Sequence, residues 1–255
     1  EMFNEKYAAT LIGKRVAELY IDPLTAYYMI CCIKSASAKE NINAFSLLQM
    51  VSHTLEMRPL LKIRTKEYDL IEQHLLKNSE YLLEKEPSIY EAEYEEFLNS
   101  IKTALFFQDW VEEKDEEYLL ETYNIRPGEI RVKIELADWL LFASEELTRM
   151  LGFQKLIKEI IKLRLRLKYG VKEELLPLLR LEGIGRVRAR KLFGNSIKDI
   201  ADIKKTDIAV LKQILGEKTA LSVKEQVGQD VEAIPKGRRK GQTSIEKYSS
   251  KENKE

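Results

Sequence analysis

The sequence predicts a mainly α-helical protein: a short β remnant at the N-terminus, a multi-helix bundle, a small helical domain and a polar tail. Three observations carry that prediction. Apolar residues recur at three- and four-residue spacing through most of the 255 positions, the pattern of helices with one buried face. Only 11 Gly and 6 Pro interrupt the chain, while 44% of residues are hydrophobic, enough for a substantial core. Pro59, Pro87 and Pro127 fall between the periodic stretches rather than within them.

Taken in order, residues 1–23 read as extended. Thr10-Leu-Ile-Gly13 and Val16-Ala-Glu-Leu-Tyr-Ile21 suggest two strands around a turn, closed by Asp22-Pro23. Two strands cannot stand alone. With Glu1 as the first residue, they are expected to end a domain that starts earlier in a longer protein.

Residues 24–169 read as a helical bundle, with periodic segments at 44–55, 65–77, 91–110 and 116–123. The acidic stretch EAEYEEFL reads as a solvated helix face. Pro127-Gly128 followed by Glu129 is a helix-start signal, and the pattern then runs on to Leu151. Its centre, residues 139–143, is apolar all round. Arg131, Glu135, Asp138, Phe142 and Arg149 nevertheless share a stripe, with Trp139 on its border. Two readings stand: a core tryptophan beside a solvated edge, or the wall of a channel. The next helix, 153–169, places Lys155, Lys158, Lys162 and Arg166 on one face and Phe153, Ile157, Ile160 and Leu167 on the other. Arg164 lies among the apolar set and needs a partner or a wet cavity.

The formal net charge is zero, but the charge is unevenly placed. Residues 80–121 carry 14 acids and 3 bases, whereas residues 153–191 carry 12 bases and 4 acids. An acidic lobe followed by a basic one suggests a polyanion as partner of the second.

Within the basic lobe lies LLRLEGIGRVRARKLFG. Leu178, Leu181, Ile184 and Leu192 are spaced for two short helices meeting at Gly183-Ile184-Gly185. Glycine admits positive φ and close backbone approach. The helix after the turn would offer unpaired N–H groups to an anion. Arg186 and Arg190 are four apart and share a face, Arg188 points elsewhere, and Lys191 adds a further cation. Arginine takes phosphate well through its fork of donors. Such binding follows the backbone, reads no base and weakens with salt.

The full pattern Leu178-x-x-Leu181-x-Gly183-Ile184-Gly185-x-x-x-Ala189-x-x-Leu192 resembles the helix-hairpin-helix motif of DNA repair and replication proteins. Residues 197–215 and 220–227 would supply the remaining helices of that domain. The wider order is LYIDP, a helical bundle, NIRPGEIR opening a long helix that contains Ala-Asp-Trp, then YGVKEELLPLLRLEGIGRVRARKLF. It resembles the C-terminal half of an archaeal superfamily 2 DNA repair helicase of the Holliday-junction-migration type, related to Ski-two-like helicases and the helicase region of polymerase theta.

That resemblance implies a winged-helix domain ending at residue 23, a helical ratchet domain over 24–169, a helix-hairpin-helix domain over 170–230 and a disordered polar tail from 231 to 255. It implies that helix 128–151 lines a single-strand channel, with Trp139 matching a base-stacking aromatic and Arg131 a basic contact. Relatives often carry a second basic residue at the next position, which is Val132 here. Arg186, Arg188 and Arg190 match an Arg-x-Arg feature that meets the emerging 3′ tail and restrains unwinding. Lys155, Lys162 and Arg166 are the expected flanking phosphate contacts. In the tail, Gln242, Ile245 and Tyr248 are similar to a sliding-clamp-binding peptide, although Ser249 stands where a second aromatic is usual.

Other chemistry is not signalled. Cys31 and Cys32 are adjacent and read as two buried thiols in a reducing, intracellular setting. His53 and His74 lack companions at ligand spacing, so no metal site is expected. No G-x-x-x-x-G-K-[ST] occurs, and the pairs Glu112-Glu113 and Glu116-Glu117 read as a solvated acidic run. No catalytic residue is therefore expected. ATP and Mg²⁺ would belong to RecA-like motor domains N-terminal to this chain. No apolar run reaches the roughly 18 residues of a membrane span. The expected role is DNA binding and strand guidance within an ATP-dependent 3′–5′ helicase acting on single-stranded, forked or branched DNA, in the cytoplasm at the nucleoid. A sliding clamp or junction resolvase is a further candidate partner. The alternative is a free-standing DNA-binding scaffold that recruits repair proteins.

Overall fold

A computed structural model describes residues 8–39 and 41–228. Every regular element among them is helical. The segment expected as two strands is instead helix α1, Leu11–Leu19. The Thr10 hydroxyl accepts the Gly13 N–H at 3.0 Å, and Tyr20 ends the helix in the left-handed region at φ 58°. Val16 and Leu19, three apart, are its buried residues. A three-residue repeat and an N-cap thus override the β-branched composition that favoured strands. Asp22-Pro23 does not close a strand. The Asp22 side chain caps helix α2, Pro23–Ala38, by accepting the Leu24 N–H at 2.7 Å, and Pro23 opens its first turn.

Helices α3 (Ala44–Ser52), α4 (Tyr68–Asn78), α5 (Tyr94–Val111), α6 (Glu116–Tyr123), α7 (Pro127–Leu151) and α8 (Gln154–Tyr169) follow. They lie close to the sequence-predicted segments. Helix α5 is the buried axis of the bundle: Phe97, Ile101, Phe106, Phe107 and Val111 have no exposed surface. It packs against α3, α4 and α8. Helix α7, 25 residues and about 38 Å long, packs along α8 and also touches α1, α2 and α3. Its centre buries Ala137, Leu140, Leu141 and Ala143 completely, whereas Trp139 and Phe142 of the all-apolar stretch stay partly exposed.

Gly152 (φ 83°) and Gly170 (φ 62°) end α7 and α8 in the left-handed region. A short 3-10 turn at Leu178–Arg180 stands where the first hairpin helix was expected. Helix α9 (Arg186–Gly194) is the second. Helices α10 (Ile200–Lys205), α11 (Ile208–Leu215) and α12 (Glu217–Gln226) complete the described chain.

Packing divides the chain into two units, and the division runs through the glycine turn. Residues 184–198 pack with the long N-terminal unit, whereas residues 181–183 go with residues 199–228. The smaller unit has its own core of Ile203, Leu211, Leu215, Ala220, Val223 and Val227. Within it, the Gln226 amide ties to the Glu182 backbone, accepting its N–H at 2.8 Å and donating to its carbonyl at 3.2 Å. Gln242, Ile245 and Tyr248 lie outside the described residues.

Candidate nucleic-acid interface

Helix α7 places its predicted polar stripe as expected, but most of its charges have partners. Arg131, 83% exposed, bonds Glu135 one turn on at 2.9 Å. Arg149 bonds Glu145 at 2.8 Å. Arg164 of α8, the cation left among apolar residues, reaches Asp138 at 3.0 Å and Glu145 at 2.8 Å, and its guanidinium lies 5.0 Å from the Phe142 ring centre. Burial alone would lower the Arg164 pKa, and the bonds and charges of these two carboxylates reverse it to a net rise. Trp139 is half-buried against the core, and its indole N–H donates to the Leu19 carbonyl at 3.1 Å. A recess of about 390 Å³ beside the stripe is lined by Trp110, Ile130, Arg131, Ile134, Asp138 and Lys168.

On α8, Lys155 and Lys158 stay exposed. Lys162 bonds Glu159 at 3.1 Å and Glu173 at 2.9 Å. Arg166 is turned inward, only 12% exposed, with Glu112 at 2.8 Å and the Val111 and Val171 carbonyls within reach.

The hairpin stretch buries Leu178, Leu181, Ile184, Ala189 and Leu192, the apolar positions of the motif. Gly183 takes φ 79° and Gly185 is extended. Helix α9 begins without a side-chain cap or an acid in its first turn, a backbone end suited to an anion. Val187, Arg188 and Lys191 are exposed on one side of it.

Arg186 and Arg190 occupy the other side and are bound within the protein. Arg190 donates to Glu113 from Nη2 at 2.5 Å and Nε at 2.8 Å, and from Nη1 to Glu174 at 2.7 Å. Arg186 donates to the Lys114 carbonyl at 2.8 Å and stands 5.2 Å from the Trp110 ring centre. Trp110 is fixed in turn by its N–H bond to the Leu167 carbonyl at 2.7 Å. Glu113 takes φ 69°, and its carboxylate also accepts the Lys172 N–H at 3.0 Å. Burial pushes the Glu113 carboxyl up, but the Arg190 and Lys172 bonds and the two arginine charges bring it below its ordinary value. Burial lowers the Arg186 pKa against the pull of Glu113, Asp115 and Glu116.

Two readings of the sequence change here. Glu113, taken as part of a solvated run, has only 14% of its side chain exposed. The acidic lobe also answers part of the basic one: Glu112 meets Arg166 and Lys172, and Glu113 meets Arg190. Sequence reasoning missed Trp110 and Glu113 as members of the site. Their signal was an acidic run complementary in charge to a basic segment far along the chain. Among the described residues, no group of three or more His, Cys, Asp or Glu could hold a metal ion. No single helix there is long and apolar enough to cross a membrane.

Comparison with known proteins agrees with this architecture. A family model described as archaeal helicase, domain 4, matches residues 45–170, and one described as a SAM-like helix-hairpin-helix tandem matches residues 175–228. The chain is 38% identical over 222 residues to the ATP-dependent DNA helicase Hel308 of Methanocaldococcus jannaschii, covering 87% of this chain and 17% of the relative. It is 35% identical over 235 residues to the Hel308 of Caldivirga maquilingensis, covering 89% and 31%. With the Hel308 of Pyrococcus horikoshii the identity is 31% over 242 residues, covering 92% and 33%. The chain thus spans about a third or less of the length of these relatives. With helicase domain 4 and a hairpin tandem in the order the fold presents them, the chain belongs to the archaeal superfamily 2 helicases as a C-terminal part of one.

Proposed function

We propose that this chain is the DNA-binding, strand-guiding part of an ATP-dependent 3′–5′ DNA helicase acting on forked or branched DNA in repair and replication restart. Residues 24–169 act as the ratchet domain, residues 170–230 as the hairpin domain, and residues 1–23 as the end of a winged-helix domain. ATP and Mg²⁺ are held elsewhere in the whole protein, because this sequence contains no phosphate-binding glycine loop with its lysine.

The observation that carries the reading is the hairpin stretch. Its apolar positions are buried, Gly183 has the positive φ that the turn needs, and α9 starts uncapped with Arg188 and Lys191 exposed. These groups grip the sugar–phosphate backbone without reading bases. On α7, a base stacks on the open side of Trp139 while its N–H stays on the Leu19 carbonyl. Arg131 and Lys155 supply further phosphate contacts. Gln242, Ile245 and Tyr248 engage a sliding clamp, with a junction resolvase as a further partner.

The test is fluorescence anisotropy of this chain with single-stranded, forked and fully duplex DNA, each at two salt concentrations. Tighter binding to the forked and single-stranded probes, falling as salt rises, is expected. Equal, salt-independent binding to all three would overturn the reading.

A further inference from the structure

The recess flanking the α7 stripe is shaped for a flat, uncharged group. Its volume of about 390 Å³ lies near the lower end of the roughly 300–1,000 Å³ of small-ligand clefts. Trp110 of α5 and Ile130 and Ile134 of α7 give it apolar walls. The tryptophan is half-buried and held from several sides. Its N–H donates to the Leu167 carbonyl at 2.7 Å, and the Arg186 guanidinium lies 5.2 Å from its ring centre. Gly170 sits so near that a Cβ there would lie 2.7 Å from Cε2 of the indole. A ring fixed before a ligand arrives loses little freedom when the ligand stacks on it.

The acids around the recess are each answered by a cation. Glu135 is bonded by Arg131 at 2.9 Å and Asp138 by Arg164 at 3.0 Å, while the Glu116 charge acts on Arg186. A phosphate gains little among such balanced charges, whereas an aromatic face gains from the apolar walls and the indole. Lys168, the other cation of the lining, is exposed, its ammonium 5.7 Å from the Tyr169 ring centre. The recess adjoins the Trp139 stripe, since Asp138 lines it. Ile134 and Arg131 precede Trp139 by about 7 and 12 Å along the helix axis, a length that holds only a few bases at roughly 3.4 Å each. We propose that this recess is a second base-binding site. An unpaired nucleobase of the strand passing Trp139 enters it and stacks on Trp110, with its phosphate on Lys168.

This rests on the DNA reading above. Trp110 and Trp139 are the two tryptophans of the sequence, so Trp139→Phe leaves Trp110 as the sole indole reporter. In that variant the indole emission should fall in step with the bound fraction as single-stranded oligothymidylate is added, binding being followed in parallel by the anisotropy of a labelled strand. An abasic strand of the same length keeps the phosphates but has no base to insert, and should bind without quenching. Ile134→Phe in the same background plugs the recess. It should abolish the quenching and lower oligothymidylate affinity about five-fold, the lower end of what one stacked base contributes, with the salt slope unchanged. Lys168→Ala should instead lower the slope by about one. Should Trp139→Phe fail to fold, Ile134→Phe in the unsubstituted chain poses the same question: a five-fold loss at constant slope supports the site, and unchanged affinity overturns it. Binding that leaves Trp110 emission unchanged, or equal quenching by the abasic strand, sinks this inference alone. Absence of DNA binding by the unsubstituted chain sinks the DNA reading, and this inference with it.

Discussion

Arg190 and Glu113, 77 residues apart in sequence, meet through two nitrogens of one guanidinium and both oxygens of one carboxylate, at 2.5 and 2.8 Å. A bidentate pair of this kind is both directional and stronger than a single ion contact. It joins the loop after α5 to helix α9, so the hairpin's second helix is held by the helical bundle. The same loop takes Arg166 on Glu112 and Arg186 on the Lys114 carbonyl.

Acid should dissolve this junction at a defined point. The folded Glu113 carboxyl titrates below its ordinary value. Its contribution is therefore fully present above the unfolded carboxylate pKa, about 4.3, and is lost as pH falls through the lower folded value. Urea unfolding of the unsubstituted chain and Glu113→Gln across pH 3–7 should show a stability gap that is flat from neutrality to about pH 5 and closes below about pH 4. A gap that grows on acidification would contradict the pairing.

Gly170→Ala should destabilise the protein by about 1–3 kcal/mol. The position has φ 62°, and an added Cβ would lie 2.7 Å from the Trp110 ring, which the Leu167 carbonyl holds in place. Gly183→Ala faces strain at φ 79° but meets its nearest atom, on Thr219, at 4.0 Å, and should cost less. Thermal melts of the two variants compare strain with and without a clash.

Trp139 separates into a bond and a ring. Trp139→Phe removes the N–H donor to the Leu19 carbonyl and should cost about 1 kcal/mol of stability while keeping most single-strand affinity. Trp139→Ala should lose both stability, by about 2–3 kcal/mol, and affinity for single-stranded DNA. Equal affinity of the Ala and Phe variants for a single-stranded probe would assign the ring to the core alone.

The adjacent thiols should react unequally. Cys31 is exposed, correcting the expectation of two buried thiols, whereas Cys32 is buried. Burial first, then the nearby Glu84 charge, pushes the Cys32 thiol up to about 12. A native-state thiol titration should label one cysteine promptly and release the second only on unfolding.

Much of this molecule was legible in its residues. The bounds of α6, α7 and α8 follow from the periodicity, from Pro127 and from the left-handed glycines 152 and 170. The apolar lattice from Leu178 to Leu192 was legible too, because a helix repeat and a glycine turn are local properties. The N-terminal segment was misread for a related reason: Thr10 to Ile21 satisfies both a strand and a short helix pattern, and tertiary burial of Val16 and Leu19 decides between them.

By itself, the sequence determined where the helices from α3 to α8 run, which faces are apolar and which family the chain resembles. Only the tertiary structure decided which charges remain available to a ligand. Residues 153–191 hold 12 bases, and at least Lys162, Arg164, Arg166, Lys172 and Arg190 spend their charge on carboxylates of the same protein. The reason is range. A helical repeat is set by neighbours three or four positions away, whereas an ion pair between residues 77 apart exists only once the chain's path has brought them together.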